Sequence, residues 1–389
     1  MANDIDPVLD RILRQQLSRR GVLKLSGAAV GAAVLAACRR ATEPGTGGSP
    51  GGARPALEAE PGTLEIYDWT GYGDGSYGGD QVLWKQYKRK FPDQAPNFTT
   101  AFDDDKGFTK AAAGQTWDVT HPCAYRFPDW VDLDVLQPWD TSLISNFADL
   151  NPALEEVGRF DGGQYFIVAD WGFAAPMYRS SLVEPRQDSW DLLWDERYAG
   201  KISWWDSVNM LVVAAYYNGV PDPWNMTDDE LAQQRDFLVD KKPLVRTMWQ
   251  DEPELIQLVK QEEVVIAYAW TSAWNWTRAK HPDMVYMEPK EGRTSWSCGF
   301  ALFRDTPNYY HAHEYANSWA STKAAEFLLA WYYYGHTNTE ADLSVVSPGV
   351  VAALGLDDPT VLDPPRAIPE SYIPRRDVYQ QYWSEVLAS

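Results

Sequence analysis

From residue 63 onward the chain switches repeatedly between short strand-like runs and helical patterns. Residues 63–67, 97–102, 117–120, 201–205, 264–268 and 300–303 read as strands. The intervening stretches read as helices: 80–91, with Trp84, Tyr87 and Phe91 on one face, 207–217, stopped at Gly219, then 252–261, a long aromatic helix over 310–334, and a terminal one over 376–387. Thr227-Asp228-Asp229-Glu230 has the form of a capping box and opens a helix to about residue 240. Ser189 is placed to cap a short helix holding Leu192 and Leu193, which Gly200 ends. Strands alternating with helices imply an α/β fold with parallel sheets. There is no internal repeat. In open α/β sheets a ligand binds beyond the carboxyl ends of the strands. Trp69, Tyr72, Tyr125, Asp206 and Trp270 all fall just after predicted strands. Any one of them is as well explained by loop packing; five together point to a ligand cleft.

A length of 389 residues allows one large or two medium folding units. Lys and Arg number 34 against 55 Asp and Glu, a formal charge of -21, which argues against nucleic acid as a partner. Aromatic residues make up 14% of the chain, including 19 Trp. That richness suits either a Trp-filled core or a surface that stacks on sugars or cations.

The first forty residues read as an address. Ser18-Arg19-Arg20-Gly21-Val22-Leu23-Lys24 precedes an uncharged run over 25–37, too short to span a bilayer as a helix. A twin arginine ahead of such a run resembles a Tat export signal. Leu35-Ala36-Ala37-Cys38 closes it with the pattern of a lipobox, in which Cys38 becomes the lipidated first residue of the mature chain. Residues 38–62, rich in Gly, Pro, Ser, Thr and Ala, read as a disordered tether. The expected location is therefore the periplasm or the outer face of the cytoplasmic membrane, reached through an N-terminal lipid anchor. Cys123 and Cys298 have neither a CxxC partner nor a His at metal spacing, so no metal site and no cofactor is expected. In an oxidising compartment the two are free to pair.

The chain from about residue 63 to its end resembles the extracellular solute-binding proteins of ABC importers, and within them the spermidine/putrescine-binding branch. The likeness is carried by Leu64-Glu65-Ile66-Tyr67-Asp68-Trp69-Thr70-Gly71-Tyr72, by Trp117-Asp118-Val119 through Tyr125, and by Trp171-Gly172. It continues in Ser189-Trp190-Asp191-Leu192-Leu193-Trp194 with Tyr198-Ala199-Gly200-Lys201, and in Pro289-Lys290-Glu291-Gly292 followed by Trp296. The resemblance implies two hinged α/β lobes with a ligand cleft between them, residues 63–171 with 296–342 forming one and 172–295 with 343–389 the other. It implies a membrane permease and an ATPase as partners, no catalysis, and a monomer. Trp69, Tyr72, Tyr125, Trp270 and Trp296 would form an aromatic box, and Asp206 would pair with an ammonium group. The polyamine site has a second acid three residues after Asp206, a further acid two residues after the final Trp, and a serine before its Tyr. Here those positions hold Asn209, Cys298 and Cys123. Losing two carboxylates favours a small ligand with one cationic centre over a full polyamine. Asp103, Asp104 and Asp105 are candidates for replacing the charge or, as a run of acids, a solvated loop. Cys123 and Cys298 both map to ligand-lining positions, where a bond between them would occupy ligand space.

Three other readings compete. A secreted, acidic, Trp-rich chain suits a glycoside hydrolase with paired carboxylates. Tyr309-Tyr310 and Tyr332-Tyr333-Tyr334 suit ferric-ion ligation, although within a long helix they read as core. Trp faces also stack on pyranose rings, which suits a sugar-binding importer component. His311 and His313, two apart on a helix, read as surface residues.

Overall fold

The computed structural model describes residues 57–74, 80–101, 104–358 and 360–389. The export segment, Cys38 and Asp103 lie outside the described residues. The main path of the large sheet contains eight strands: β1 (Glu65–Trp69), β2 (Asn97–Ala101), β3 (Val119–Thr120), β4 (Phe166–Arg179), β5 (Ile202–Trp205), β6 (Val245–Trp249), β7 (Ile266–Trp270) and β8 (Arg293–Phe303). Their spatial order is β2-β1-β3-β8-β4-β7-β5-β6. At one end β2, β1 and β3 run parallel; at the other β7, β5 and β6 do so. Between them β4 and β8 pair antiparallel from Thr294 against Ala174 to Ala301 against Phe166.

The sheet is thus mixed rather than parallel, because two long strands, one missing from the expected pattern and the other expected only at its end, tie two parallel units together. β4 was legible only at Trp171-Gly172. All fourteen of its residues are buried, and a strand buried on both faces shows no apolar–polar alternation. Only the last four residues of β8 match the expected strand at 300–303.

Among the described residues, eight helices of eight or more residues frame these strands: α1 (Asp104–Ala112), α2 (Asn209–Tyr217), α3 (Asp228–Lys241), α4 (Glu252–Lys260), α5 (Thr271–Arg278), α6 (Tyr309–Trp319), α7 (Thr322–Tyr332) and α8 (Arg376–Ala388). The capping box at Thr227 forms as expected, Thr227 and Glu230 each satisfying the other's backbone amide. Ser189 likewise accepts from the Asp191 amide at the start of a short 3₁₀ turn, Trp190–Trp194. The helix expected over 80–91 is two short ones broken at Trp84, Asp80–Leu83 and Lys85–Lys90.

The single helix expected over 310–334 is also two, α6 and α7. Ser321 takes an extended conformation and caps α7 through the Ala324 amide. α7 stops at Tyr333, which adopts φ 57°. His311 and His313 are buried, contrary to the surface reading. α6 packs on both flanks: His311 Nδ1 meets the Tyr87 hydroxyl at 3.0 Å, and the Asp140 amide donates to His313 Nε2 at 3.0 Å. Two residues two apart point to different faces, and here both faces are covered.

A bulge lies between Cys298 and Gly299, where β8 changes register on β4. A Cβ on Gly299 would stand 2.0 Å from the Ile167 carbonyl oxygen, so the close approach of the two strands requires glycine. Gly299→Ala is expected to cost about 1–3 kcal/mol of stability by overpacking. Urea denaturation measures this, and an unchanged midpoint would show that the strand pair tolerates separation here.

Candidate functional site

A cavity of about 80 Å³ lies where the two parallel units face each other across β4 and β8. The carboxyl ends of the strands supply its walls, as the α/β rule requires. Trp69 ends β1, Tyr125 follows β3, Trp205 ends β5 and Trp270 ends β7. The floor comes from the crossing strands, with Asp170 on β4 and Trp296 and Cys298 on β8. Tyr72, Tyr332 and Tyr334 close one side.

Of the residues singled out in the sequence, Trp69, Tyr72, Cys123, Tyr125, Trp270, Trp296 and Cys298 are brought together here. Asp206 and Asn209 are not. They line an adjoining outer compartment of about 290 Å³ that shares Trp69, Tyr125 and Trp205 with the inner one. Asp206 there accepts hydrogen bonds from Gln250 Nε2 and Trp383 Nε1, both at 2.8 Å. Cys123 and Cys298 form a disulfide that lines the inner cavity. Asp104 and Asp105 belong to the first turn of α1 rather than to a solvated loop. Asp104 is buried and accepts from the Cys123 amide at 3.0 Å.

The acids of the inner cavity are Asp170, Glu252 and Glu370, and no Lys, Arg or His is among its lining residues. Asp170 sits opposite Cys298 on the paired strands. Its carboxylate accepts from the Tyr72 hydroxyl and from His121 Nε2 at 3.0 Å. The other ring nitrogen of His121 donates to Asp68 at 2.8 Å. Burial opposes charge on this imidazole, but the two carboxyl groups outweigh it and hold the ring protonated, at about 9. Glu252, the first residue of α4, is hydrogen-bonded by Ser272, and burial pushes it up to about 7. Glu370 accepts from Asn209 Nδ2 at 2.8 Å and is likewise raised by burial to about 7, against the lowering field of Arg376.

The aromatic side chains brace one another. Trp205 stacks on Trp249 and on Tyr268, each with centroids 5.8 Å apart, and meets Trp270 edge-on at 5.3 Å. Trp296 meets Tyr334 edge-on at 4.7 Å, and Tyr334 stacks on Tyr332. The indole Nε1 of Trp69 donates to the His121 carbonyl at 2.9 Å. These contacts fix ring faces before any ligand arrives.

Comparison with known proteins identifies the family. The profile of the bacterial extracellular solute-binding proteins matches residues 99–353. The chain belongs to that family. Its fold is that of the periplasmic binding proteins. A Listeria monocytogenes protein described as a spermidine/putrescine ABC transporter superposes with a TM-score of 0.73 at 20% identity, over 84% of this chain and 99% of that one. The spermidine/putrescine substrate-binding protein PotD of Streptococcus pneumoniae gives 0.66 at 20% identity, over 84% and 97%. The binding protein MotA of A. tumefaciens, solved with glucopine, gives 0.66 at 16%, over 83% and 99%.

Sequence reasoning missed six charged or aromatic residues that line this cavity, among them Tyr332 at the end of α7. Trp205 directly precedes Asp206, and of these neighbours only Trp205 reaches the inner cavity, while both line the outer compartment. Asp170 directly precedes Trp171, within the strand that showed no alternation. Glu252 was legible only as a helix start. Tyr334 is turned toward the cavity by the left-handed Tyr333, a break that periodicity does not show. Glu370 follows the short strand Ala367–Pro369, which pairs with β8, and carried no local signal. Among the described residues, no cluster of His, Cys, Asp and Glu suits a metal ion and no helix is long and apolar enough to cross a membrane.

Two outcomes follow from the buried charges and the disulfide. Glu252 and Glu370 bind protons in the folded state between pH 4.5 and about 7 that their unfolded forms release, and His121 does the same between 6.5 and about 9. Stability of the ligand-free protein should therefore fall as pH rises from 5 to 9, and Glu252→Gln should flatten the lower half of that slope by an amount on the order of 3 kcal/mol. Thermal melts across pH check this; a profile rising over the same range would contradict it. The disulfide closes a separation of 175 residues, so Cys123→Ser with Cys298→Ser should cost about 2–5 kcal/mol in a denaturation series.

Proposed function

We propose that this protein captures a small cationic or amine-containing solute in the cleft and delivers it to an ABC importer. The observation that carries the reading is the make-up of the inner cavity: three carboxyl groups and eight aromatic rings, with no basic side chain among the lining residues. An ammonium is held by ring faces and carboxylates together, and both gain strength where water is excluded. A ligand bearing a carboxylate would find no basic partner in this lining and would face three acids. A sugar would find stacking surfaces, but the raised acids give it no charge to answer.

The two carboxylates lost from the polyamine pattern have neighbours that take their place. Asn209 holds Glu370, and Cys298 stands opposite Asp170 on the paired strand. The similarity to spermidine/putrescine transport proteins supports an amine ligand and an importer made of a permease and an ATPase. Closure would bring residues 63–171 with 296–342 against 172–295 with 343–389, β4 and β8 serving as the hinge. The Tat-like segment and the lipobox pattern at Cys38 support export and a lipid anchor, and the resemblance to solute-binding proteins supports a monomer with no catalytic step.

A thermal-shift panel of monoamines, quaternary ammonium compounds, polyamines, amino acids and oligosaccharides tests this on the purified protein. A ligand at about a hundred times its dissociation constant adds roughly 2.7 kcal/mol. Cations should raise the melting temperature and neutral glycans should not. Trp270→Ala should weaken the best cation by about tenfold or more, roughly 1.4 kcal/mol, measured by calorimetry. A shift with glycans alone would overturn the reading.

A further inference from the structure

We propose that Arg376 restricts the ligand to a single cationic centre by standing where a second ammonium would bind. The inference rests on the amine reading above and concerns the outer compartment, which shares Trp69, Tyr125 and Trp205 with the inner one. A long polyamine with one end among Asp170, Glu252 and Glu370 would have to place its next charge there.

That position already holds a cation. Arg376 is the first residue of α8, and its guanidinium carbon lies 4.9 Å from the centre of the Tyr125 ring. Its Nε donates to Asp105 Oδ1 at 2.9 Å and its Nη2 to Asp105 Oδ2 at 3.0 Å. An aromatic face and a carboxylate acting together are the arrangement that would fix an ammonium. The side chain is only 13% exposed, so its charge is weakly screened. Its field reaches inward, holding down the proton affinity of Asp104 and of Glu370, the inner acid that Asn209 of the outer compartment holds. Lys106 lines the same compartment but is exposed. Asp206 lines the same compartment but is hydrogen-bonded by Gln250 and Trp383 rather than by the guanidinium, whose ion-pair partner is Asp105.

The same ion pair joins α1, on the β2 side of the cleft, to α8, which packs on α3. A latch of that kind would affect closure for every ligand equally, whereas a charge block would act on ligand length. The ratio of affinities separates the two roles. Arg376→Met removes the charge from beside Tyr125, keeps an unbranched side chain, and leaves Asp105 its second partner, Arg126, at 3.3 Å. Arg376→Lys keeps the charge.

Calorimetric titration of the full chain and both variants with choline and with spermidine is the test. Unsubstituted protein should prefer the monocation. In Arg376→Met the spermidine-to-choline affinity ratio should rise by about tenfold or more, while in Arg376→Lys it should stay near the original. Equal shifts for both ligands in Arg376→Met, or a preference for spermidine before any substitution, would overturn the proposal. Failure of the unsubstituted protein to bind either amine is a different result, which sinks the amine reading itself.

Discussion

The antiparallel pairing of β4 with β8 is the constraint on which the rest of the molecule depends. These strands pass through the middle of the sheet, join two parallel α/β units, and supply the floor of the cavity with Asp170, Trp296 and Cys298. Because both run through protein on all sides, their backbone approach is close enough to require glycine at 299. Every other wall of the site is a strand end or helix end carried by one unit or the other. Any movement of the units about the pair therefore changes the cavity.

The chemistry of the cavity follows from burying acids among rings. A carboxylate removed from water is costly unless it is paired. Three solutions appear side by side. Asp170 shares the imidazolium of His121 with Asp68 and takes the Tyr72 hydroxyl as well. Glu252 leans on Ser272, and Glu370 on Asn209. The last two have only neutral hydrogen-bond partners, which is why burial lifts them to about 7. A cation entering between them would favour their ionised forms, so ligand uptake and proton release are coupled. The rings contribute without changing shape, since each is already held by a neighbour.

Much of this was legible in the sequence, and the reason is local. Trp69, Tyr125, Trp205 and Trp270 sit at or just beyond strand ends, where the α/β rule places ligands, and the first, second and fourth were found that way. The capping box at Thr227 and the cap at Ser189 involve residues two or three apart. What escaped was non-local. Glu370 reaches Asn209 from 161 residues along the chain. Asp206, carried over by resemblance as the ammonium partner, lines only the outer compartment, whereas its neighbour Trp205 reaches the inner cavity as well. The helix break at Ala320-Ser321 and the burial of His311 and His313 depend on what packs against α6, which periodicity alone does not reveal.

The central claim is that charge, and not shape alone, selects the ligand in this aromatic cleft. Its most direct measurement compares a cation with an uncharged molecule of the same shape, such as choline with the alcohol in which carbon replaces the nitrogen. Titration calorimetry at pH 8, where Glu252 and Glu370 are ionised, gives both affinities. The account predicts that the cation binds about a hundredfold more tightly or better, a difference of roughly 2.7 kcal/mol. Equal affinities for the two would contradict it and leave the carboxylates without a role in recognition.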